Sequence, residues 1–342
     1  MLTDFWRDIT EQGGTLAQHA PHLTECCRWV RERGFHPERI ILTGLATSLY
    51  AWETVRPQLE ATAPGVSIIE TGELFHYYRP LLEKAEAVFV ISRSGASAEV
   101  VRLLEYLRPG QALAAITEER DSPLARRAAA VFPIDARERC FVNTKSFTLS
   151  LAYAGAVAAG IANQPAVLLE TALTEAACQI DTFIQKGGPA ASDIAGRLGS
   201  ARALLVMMRG ALTGIGLQLC LDFQEGLRMA AVPVPGSLLR HGTIELTTQR
   251  DVASLFFAHD DPAGRLFMKA AREVAQWNQA VAVIGPALRD CVPAPFPILE
   301  TESGAAPIVY AVAGQLVYYH LALQKGIREI EPKLVGKVTR TE

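Results

Sequence analysis

The chain has 342 residues, 49% of them apolar and 20% charged, with a formal net charge of −3. That composition supplies full cores and excludes a disordered chain, and the length fits two domains or one large one. A near-neutral balance without any Lys/Arg-rich stretch excludes nucleic acid as the main partner; with no signal peptide and no uninterrupted apolar run of about 18 residues, no membrane span is expected either.

Residues 1–34 read as a leading helical segment. His19 and His22 flank Pro21 there without a third ligand nearby, so no metal is expected. "RIILTGLATS" (39–48) is an apolar strand running into Gly-x-x-Thr. "AVFVISRSGASAEVVRLLEYL" (87–107) begins as a buried strand and ends as a helix with one broad apolar face. Between the two lie Ser92, Arg93, Ser94, Gly95, Ala96 and Ser97. Unpaired N–H groups at a helix start, hydroxyl donors and a glycine make an anion cradle; an ordinary Ser-capped helix is the alternative. "ALAAIT" (112–117) and "FPI" (132–134) continue the strand series, and Thr144 and Lys145 open another helix in "NTKSFT". Residues 161–197 read as a helical connector loosened by Gly187, Gly188 and Pro189.

The series then starts again. "ALLVMMRGALTG" (203–214) repeats the strand and Gly-x-x-Thr, with Gly44 and Gly210 166 positions apart. "FVIS" (89–92) and "LFFA" (255–258) differ by 166, "ALAAIT" and "AVAVIG" (280–285) by 168, and the two "FPI" segments (132–134 and 296–298) by 164. Four segments in the same order with nearly one shift indicate a duplicated unit. The fold class is therefore α/β, two doubly wound units, each a parallel sheet with helices on both faces. The copies span 35–160 and 198–330, followed by a tail, 331–342. At the place of the Ser loop the second copy has Ala258, His259, Asp260 and Asp261, whose carboxylates repel an anion. Only the first copy is expected to bind one, with Ser48 converging on the same ligand. Neither GxGxxG nor GxxxxGK[ST] occurs, so a phosphate ester is favoured over a nucleotide, and no cofactor is implied. The six cysteines (26, 27, 140, 178, 220 and 291) lack CxxC spacing and read as reduced, mostly buried thiols of a cytoplasmic protein.

With these motifs in hand, the sequence resembles the tandem SIS (sugar isomerase) domain family, which includes fructosamine-6-phosphate deglycases and the isomerase half of glucosamine-6-phosphate synthase. The likeness rests on "SRSGAS" together with "GLATS" (44–48), "ERCFVNTKSFTLSLA" (138–152), "QEGLR" (224–228), "LLRHGTIEL" (238–246) and "EPKLVGKVTRTE" (331–342). Ala46 departs from the family's GxGxS, which has a second glycine there.

The resemblance implies that Ser48, Ser92, Arg93, Ser94 and Ser97 hold a sugar phosphate, Arg93 through its backbone if its side chain points elsewhere. Phe141, Asn143 and Lys145 fall where the family contacts sugar hydroxyls; Asn143 or Thr144 as a plain helix cap is the alternative. Glu225 matches the base that moves a proton between C1 and C2. From the residues alone, Gln218, Asp222, Glu225 and Arg228 also fit a solvated helix stripe. His241 matches the ring-opening histidine, which in relatives serves the neighbouring subunit, implying a homodimer. Lys337 matches a tail lysine that contacts the open-chain sugar, although the tail is one residue shorter after it. Glu245, in "HGTIE", is deglycase-like and suits either assisting the leaving amine or holding the His241 tautomer.

The implied activity is a deglycase splitting a fructosamine 6-phosphate into a sugar 6-phosphate and an amine. The alternatives are an aldose–ketose (amino)sugar-phosphate isomerase and a non-catalytic phosphosugar-binding regulator. A chain starting Met-Leu-Thr, with no glutaminase domain, is not expected to make its own ammonia from glutamine.

Overall fold

The computed structural model describes residues 3–286, 295–298, 305–330, 332–334, 336 and 338–340. Five strands form the first sheet: β1 (Ile40–Gly44), β2 (Ser67–Glu70), β3 (Ala87–Ile91), β4 (Ala112–Thr117) and β5 (Ala130–Pro133). All pair in parallel, in the order β2-β1-β3-β4-β5. The second sheet contains β6 (Ala203–Met208), β7 (Ala230–Pro235), β8 (Val252–Phe257), β9 (Val281–Pro286) and β10 (Pro295–Ile298). It too is parallel, in the order β10-β9-β8-β6-β7. Read from its β7 edge, this is the strand order of the first sheet. The four recurring sequence segments fall on β1 and β6, β3 and β8, β4 and β9, and β5 and β10. The remaining pair, β2 and β7, shares no recurring sequence segment. β7 carries Pro233 and Pro235, tolerated because it is an edge strand with β6 as its one neighbour.

Both sheets are covered on two faces, which explains their near-continuous apolar strands. On one face of the first, Ile41, Val88, Val90, Leu113 and Ala115 pack with Phe75, Leu82, Val100, Leu103 and Leu124 from the intervening helices. On the other, the ring of Trp29, from helix Gln12–Arg33, lies edge-on to Phe89 and Phe132 at 6.1 and 5.8 Å. Helix Lys145–Ile161 is buried almost throughout and ties back to β5 through a Tyr153 hydroxyl donating to the Pro133 carbonyl at 2.7 Å. One face of the second sheet packs Leu205, Met207, Phe256 and Val283 against Phe267, Ala271 and Val274 of helix Pro262–Val274. Helix Ala306–Gln324 is long and apolar enough to cross a membrane, the only such helix among the described residues. It is a core helix: it packs on helices Gly188–Leu198 and Thr213–Leu227, and Tyr310 donates to the Ala258 carbonyl at 2.8 Å.

The chain forms two compact units. One comprises Gly14–Glu138, Lys145–Glu175 and Lys333–Glu342 and holds the first sheet. The other comprises Met1–Gly13, Arg139–Thr144 and Ala176–Pro332 and holds the second. Of the described cysteines, Cys26, Cys27, Cys140 and Cys220 are buried and Cys178 is exposed; Cys291 lies outside the described residues.

Candidate functional site

In the first-sheet unit β1 has β2 on one side and β3 on the other, so the strand order reverses there, and ligands of open parallel sheets bind at the C-terminal ends of the strands around such a point. Two sequence features converge on it. Gly44 closes β1, and a methyl group there would fall 2.7 Å from Ser48 Cβ and 3.1 Å from the Ile91 carbonyl. That close approach brings the start of helix Thr47–Thr62, with Ser48, against the end of β3. Ala46 takes φ +45°, a conformation that favours glycine, so the departure from GxGxS leaves the backbone glycine-like at the expense of strain.

The second feature is the loop after β3. The Ser92 amide still pairs with the Ile116 carbonyl at 3.0 Å, and its Oγ accepts from Gly95 N at 3.2 Å. Gly95 sits at φ +57°, with Ser122 so close that a side chain at 95 would fall 2.7 Å from Ser122 Cβ. Ser94 Oγ accepts from Ala96 N at 3.3 Å. Ser97 stands at the N-cap of helix Ala98–Tyr106 yet makes no capping bond. Its hydroxyl is buried and has no hydrogen-bond partner among the described residues. A buried donor facing a positive helix end without a protein partner suits an external acceptor such as a phosphate oxygen. The Ala98 amide donates to the Thr339 carbonyl at 3.1 Å. The tail thus crosses the helix start, and Val338 and Arg340 line a groove of about 690 Å³ with Val101, Arg102 and Glu105.

The Arg93 side chain turns away from this loop. Its Nη1 lies 3.3 Å from Glu138 Oε2, and the Glu138 side chain is 1% exposed. The same carboxylate accepts from Ser146 Oγ at 2.6 Å and Ser146 N at 3.3 Å, capping helix Lys145–Ile161. The Arg93 carbonyl accepts from Glu118 N and Thr117 Oγ1, both at 3.0 Å. Lys145 is buried, with Nζ donating to the Arg137 carbonyl at 3.3 Å. Glu138 is the residue that sequence reasoning missed; an acid between two arginines ahead of a helix start is the signal it left.

Phe141, Asn143, Glu225, His241 and Glu245 belong to the second-sheet unit, and Lys337 lies outside the described residues. The segment with Phe141 and Asn143 is held by Asp8, whose buried carboxylate accepts from the amides of Arg139 and Cys140, both at 2.8 Å. Phe141 and Asn143 are partly buried. Glu225 is partly buried in the last turns of helix Thr213–Leu227. Gln218 and Asp222 on the same face are each 2% exposed and joined by a 2.6 Å Nε2–Oδ1 bond, so this face is not the solvated stripe that the pattern alone allows. His241 and Glu245 are exposed, on two consecutive 3-10 turns, Leu238–His241 and Thr243–Thr248. These turns are pinned at Arg240, paired bidentately with Glu273, and at Thr247, which accepts from Trp277 Nε1 and Asn278 Nδ2 at 3.0 and 2.9 Å. At the place of the Ser loop after β8, Asp261 caps helix Pro262–Val274 through Gly264 N at 2.6 Å, and Asp260 pairs with Arg265 at 3.3 Å. Its own carboxylates occupy the helix start that an anion would need.

The match to known proteins falls on the unit with the serine loop: residues 35–159 match the SIS domain model. Residues 35–159 are a SIS domain. Among curated relatives, glutamine–fructose-6-phosphate aminotransferase (isomerizing) of Zymomonas mobilis is 26% identical over 323 residues, covering 89% of this chain and 52% of that protein. The chain spans about half the length of the curated relatives it matches. Among solved structures, tagatose-6-phosphate ketose/aldose isomerase from Escherichia coli superposes with a TM-score of 0.81 at 20% identity, covering 96% of this chain and 97% of that one. The C-terminal domain of glucosamine-fructose-6-phosphate aminotransferase from Francisella tularensis gives 0.80 at 17% identity, covering 96% and 98%. At these identities the structures establish a shared fold, with the SIS domain supplying the first sheet and its serine loop.

Proposed function

We propose that this protein is a phosphosugar enzyme that cleaves a fructosamine 6-phosphate into a sugar 6-phosphate and an amine. The observation that carries the reading is the buried Ser97 hydroxyl at a helix start, without a hydrogen-bond partner among the described residues, in one loop with the hydroxyls of Ser92 and Ser94. Neutral donors and a helix dipole hold a dianion without a lysine. Ser48 and the Arg93 backbone complete the phosphate contacts, while Phe141, Asn143 and Lys145 meet the sugar hydroxyls.

In this reading Glu225 takes a proton from C1 of the ketoamine to give the enaminol and returns one to C2. The resulting imine at C1 is hydrolysed by water to the aldose 6-phosphate and the free amine. His241 supplies the proton that opens the sugar ring, and Glu245 fixes its tautomer or protonates the departing amine. Lys337 contacts the open-chain sugar. The protein works as a cytoplasmic homodimer in which His241 serves the neighbouring subunit. Leu238 and Leu246, each 46% exposed on the turns around His241, suit such an interface.

Free aldose–ketose interconversion is the second reading, favoured by relatives and neighbours whose names specify isomerizing and ketose/aldose isomerase activities. A product screen separates the readings. Purified protein receives fructose 6-phosphate, glucosamine 6-phosphate and a panel of fructose–amino-acid 6-phosphates, with sugar phosphate and amine both followed. Amine release from an adduct supports the first reading, and interconversion of free sugar phosphates alone replaces it with the second. Saturable protection against heating with no turnover indicates a binder. Glu225→Gln must lower turnover by about a hundredfold or more; a loss of a few fold removes Glu225 from the chemistry.

A further inference from the structure

Helix Thr213–Leu227 ends in an unusual way. Arg228 follows it at φ +50°, ψ +37°, the left-handed conformation that glycine normally supplies at this position. Met229 N then donates to the Phe223 carbonyl at 3.1 Å, and Gln224 Nε2 to the Ala231 carbonyl at 2.9 Å. A strained residue persists only where its surroundings fix it. Helix Ala306–Gln324 makes a close contact on this last turn. The Tyr318 phenol presses on the Cβ-free face of Gly226: a methyl group there would penetrate the Tyr318 hydroxyl and lie 3.0 Å from its Cζ. The ring is held from behind by Phe5 and Phe223 at centroid distances of 5.0 and 5.6 Å. Its hydroxyl is fully buried and has no hydrogen-bond partner among the described residues, so it is there for its shape rather than for a bond. Burial pushes the phenol's pKa well above its usual value, and the nearby carboxylates of Asp222 and Glu225 add to the shift.

We propose that Gly226 and Tyr318 are a positioning pair for Glu225: the phenol seats on the glycine and fixes the strained last turn, and with it the carboxylate one residue before. This rests on Glu225 being the base proposed above. Neither residue touches substrate; they act through the helix end.

Tyr318→Phe is the first test, because it removes only the hydroxyl that meets Gly226. Hydrogen exchange at the amides of Glu225, Gly226 and Leu227 should accelerate at least about fivefold, with the earlier turns of the helix within about twofold. The thermal midpoint should hold or rise, since an unpartnered buried hydroxyl is lost. For amine release kcat should fall about three- to tenfold with KM within about twofold. A merely structural role would lower the midpoint and spare kcat. Gly226→Ala should lower kcat further, and adding Tyr318→Phe should restore it by at least about threefold, because only the ring then remains against the new methyl. If Gly226→Ala does not fold, exchange and kcat of Tyr318→Phe decide. Unchanged exchange at 225–227 overturns the pair, and so does faster exchange with unchanged kcat or a double variant no better than Gly226→Ala. Full turnover in Glu225→Gln instead overturns the base assignment, while the exchange result still judges the contact.

Discussion

Ser97→Ala is expected to move stability and ligand affinity in opposite directions. An N-cap serine usually contributes about 1 kcal/mol through its side-chain bond to the helix, but Ser97 makes no such bond. Its hydroxyl is buried without a partner among the described residues. Leaving a buried polar group unsatisfied costs about 1–3 kcal/mol, so alanine should leave the ligand-free thermal midpoint unchanged or raise it by about 1–3 °C. A hydrogen bond to a charged oxygen contributes about 1.5–3 kcal/mol, or roughly 10- to 150-fold in Kd. Titration calorimetry with fructose 6-phosphate should show that weakening, and the ligand should protect the variant less against heating. A midpoint lowered by more than about 2 °C without ligand would mean that Ser97 caps the helix after all. A Kd within about threefold of the wild type would place the phosphate elsewhere.

Ala46→Gly should stabilise the protein by about 1 kcal/mol, because position 46 already sits at φ +45°; a lower denaturation midpoint would contradict this. Arg93→Ala takes the guanidinium from a carboxylate that is 1% exposed and should destabilise the first-sheet unit by about 1–3 kcal/mol in urea unfolding, more than Arg93→Lys does. Arg240 holds the Glu273 carboxyl below its usual 4.5, so the pair's contribution is complete above that value and is lost as pH falls through the lowered one. The midpoint difference between wild type and Glu273→Gln should therefore shrink as the pH is lowered below 4.5, and shrink with added salt, since both side chains are partly exposed. A difference independent of pH would show that the ion pair is not its source.

The parallel architecture is legible in the sequence because strands buried on both faces are apolar without interruption, as in Val88–Ile91 and Leu204–Met208. The duplication is legible because β1, β3, β4 and β5 each recur as a short apolar motif. β2 and β7 escape because polar residues and prolines interrupt their apolar runs: β2 includes Ser67 and Glu70, and β7 two prolines, which its edge position tolerates. The Ser loop stands out by composition, but the engagement of Arg93 with Glu138 does not, since 45 residues separate them. Nor does the grouping of Phe141 and Asn143 with the second sheet. That depends on Asp8, an unremarkable acid in sequence that is fully buried in the fold.

Asp8 also bears on how the protein is made. The second-sheet unit draws on Met1–Gly13, on Arg139–Thr144 and on residues up to Pro332, while the first-sheet unit draws on Lys333–Glu342. At roughly 5–20 residues per second, the ribosome releases Asp8 on the order of tens of seconds before the last strand of the sheet it serves. Its helix must wait as an unassembled amphipathic piece. No single cut in the gene yields either unit whole, so fragments bounded at 35 and 159 would leave Phe89 and Phe132 without Trp29 and should precipitate rather than fold.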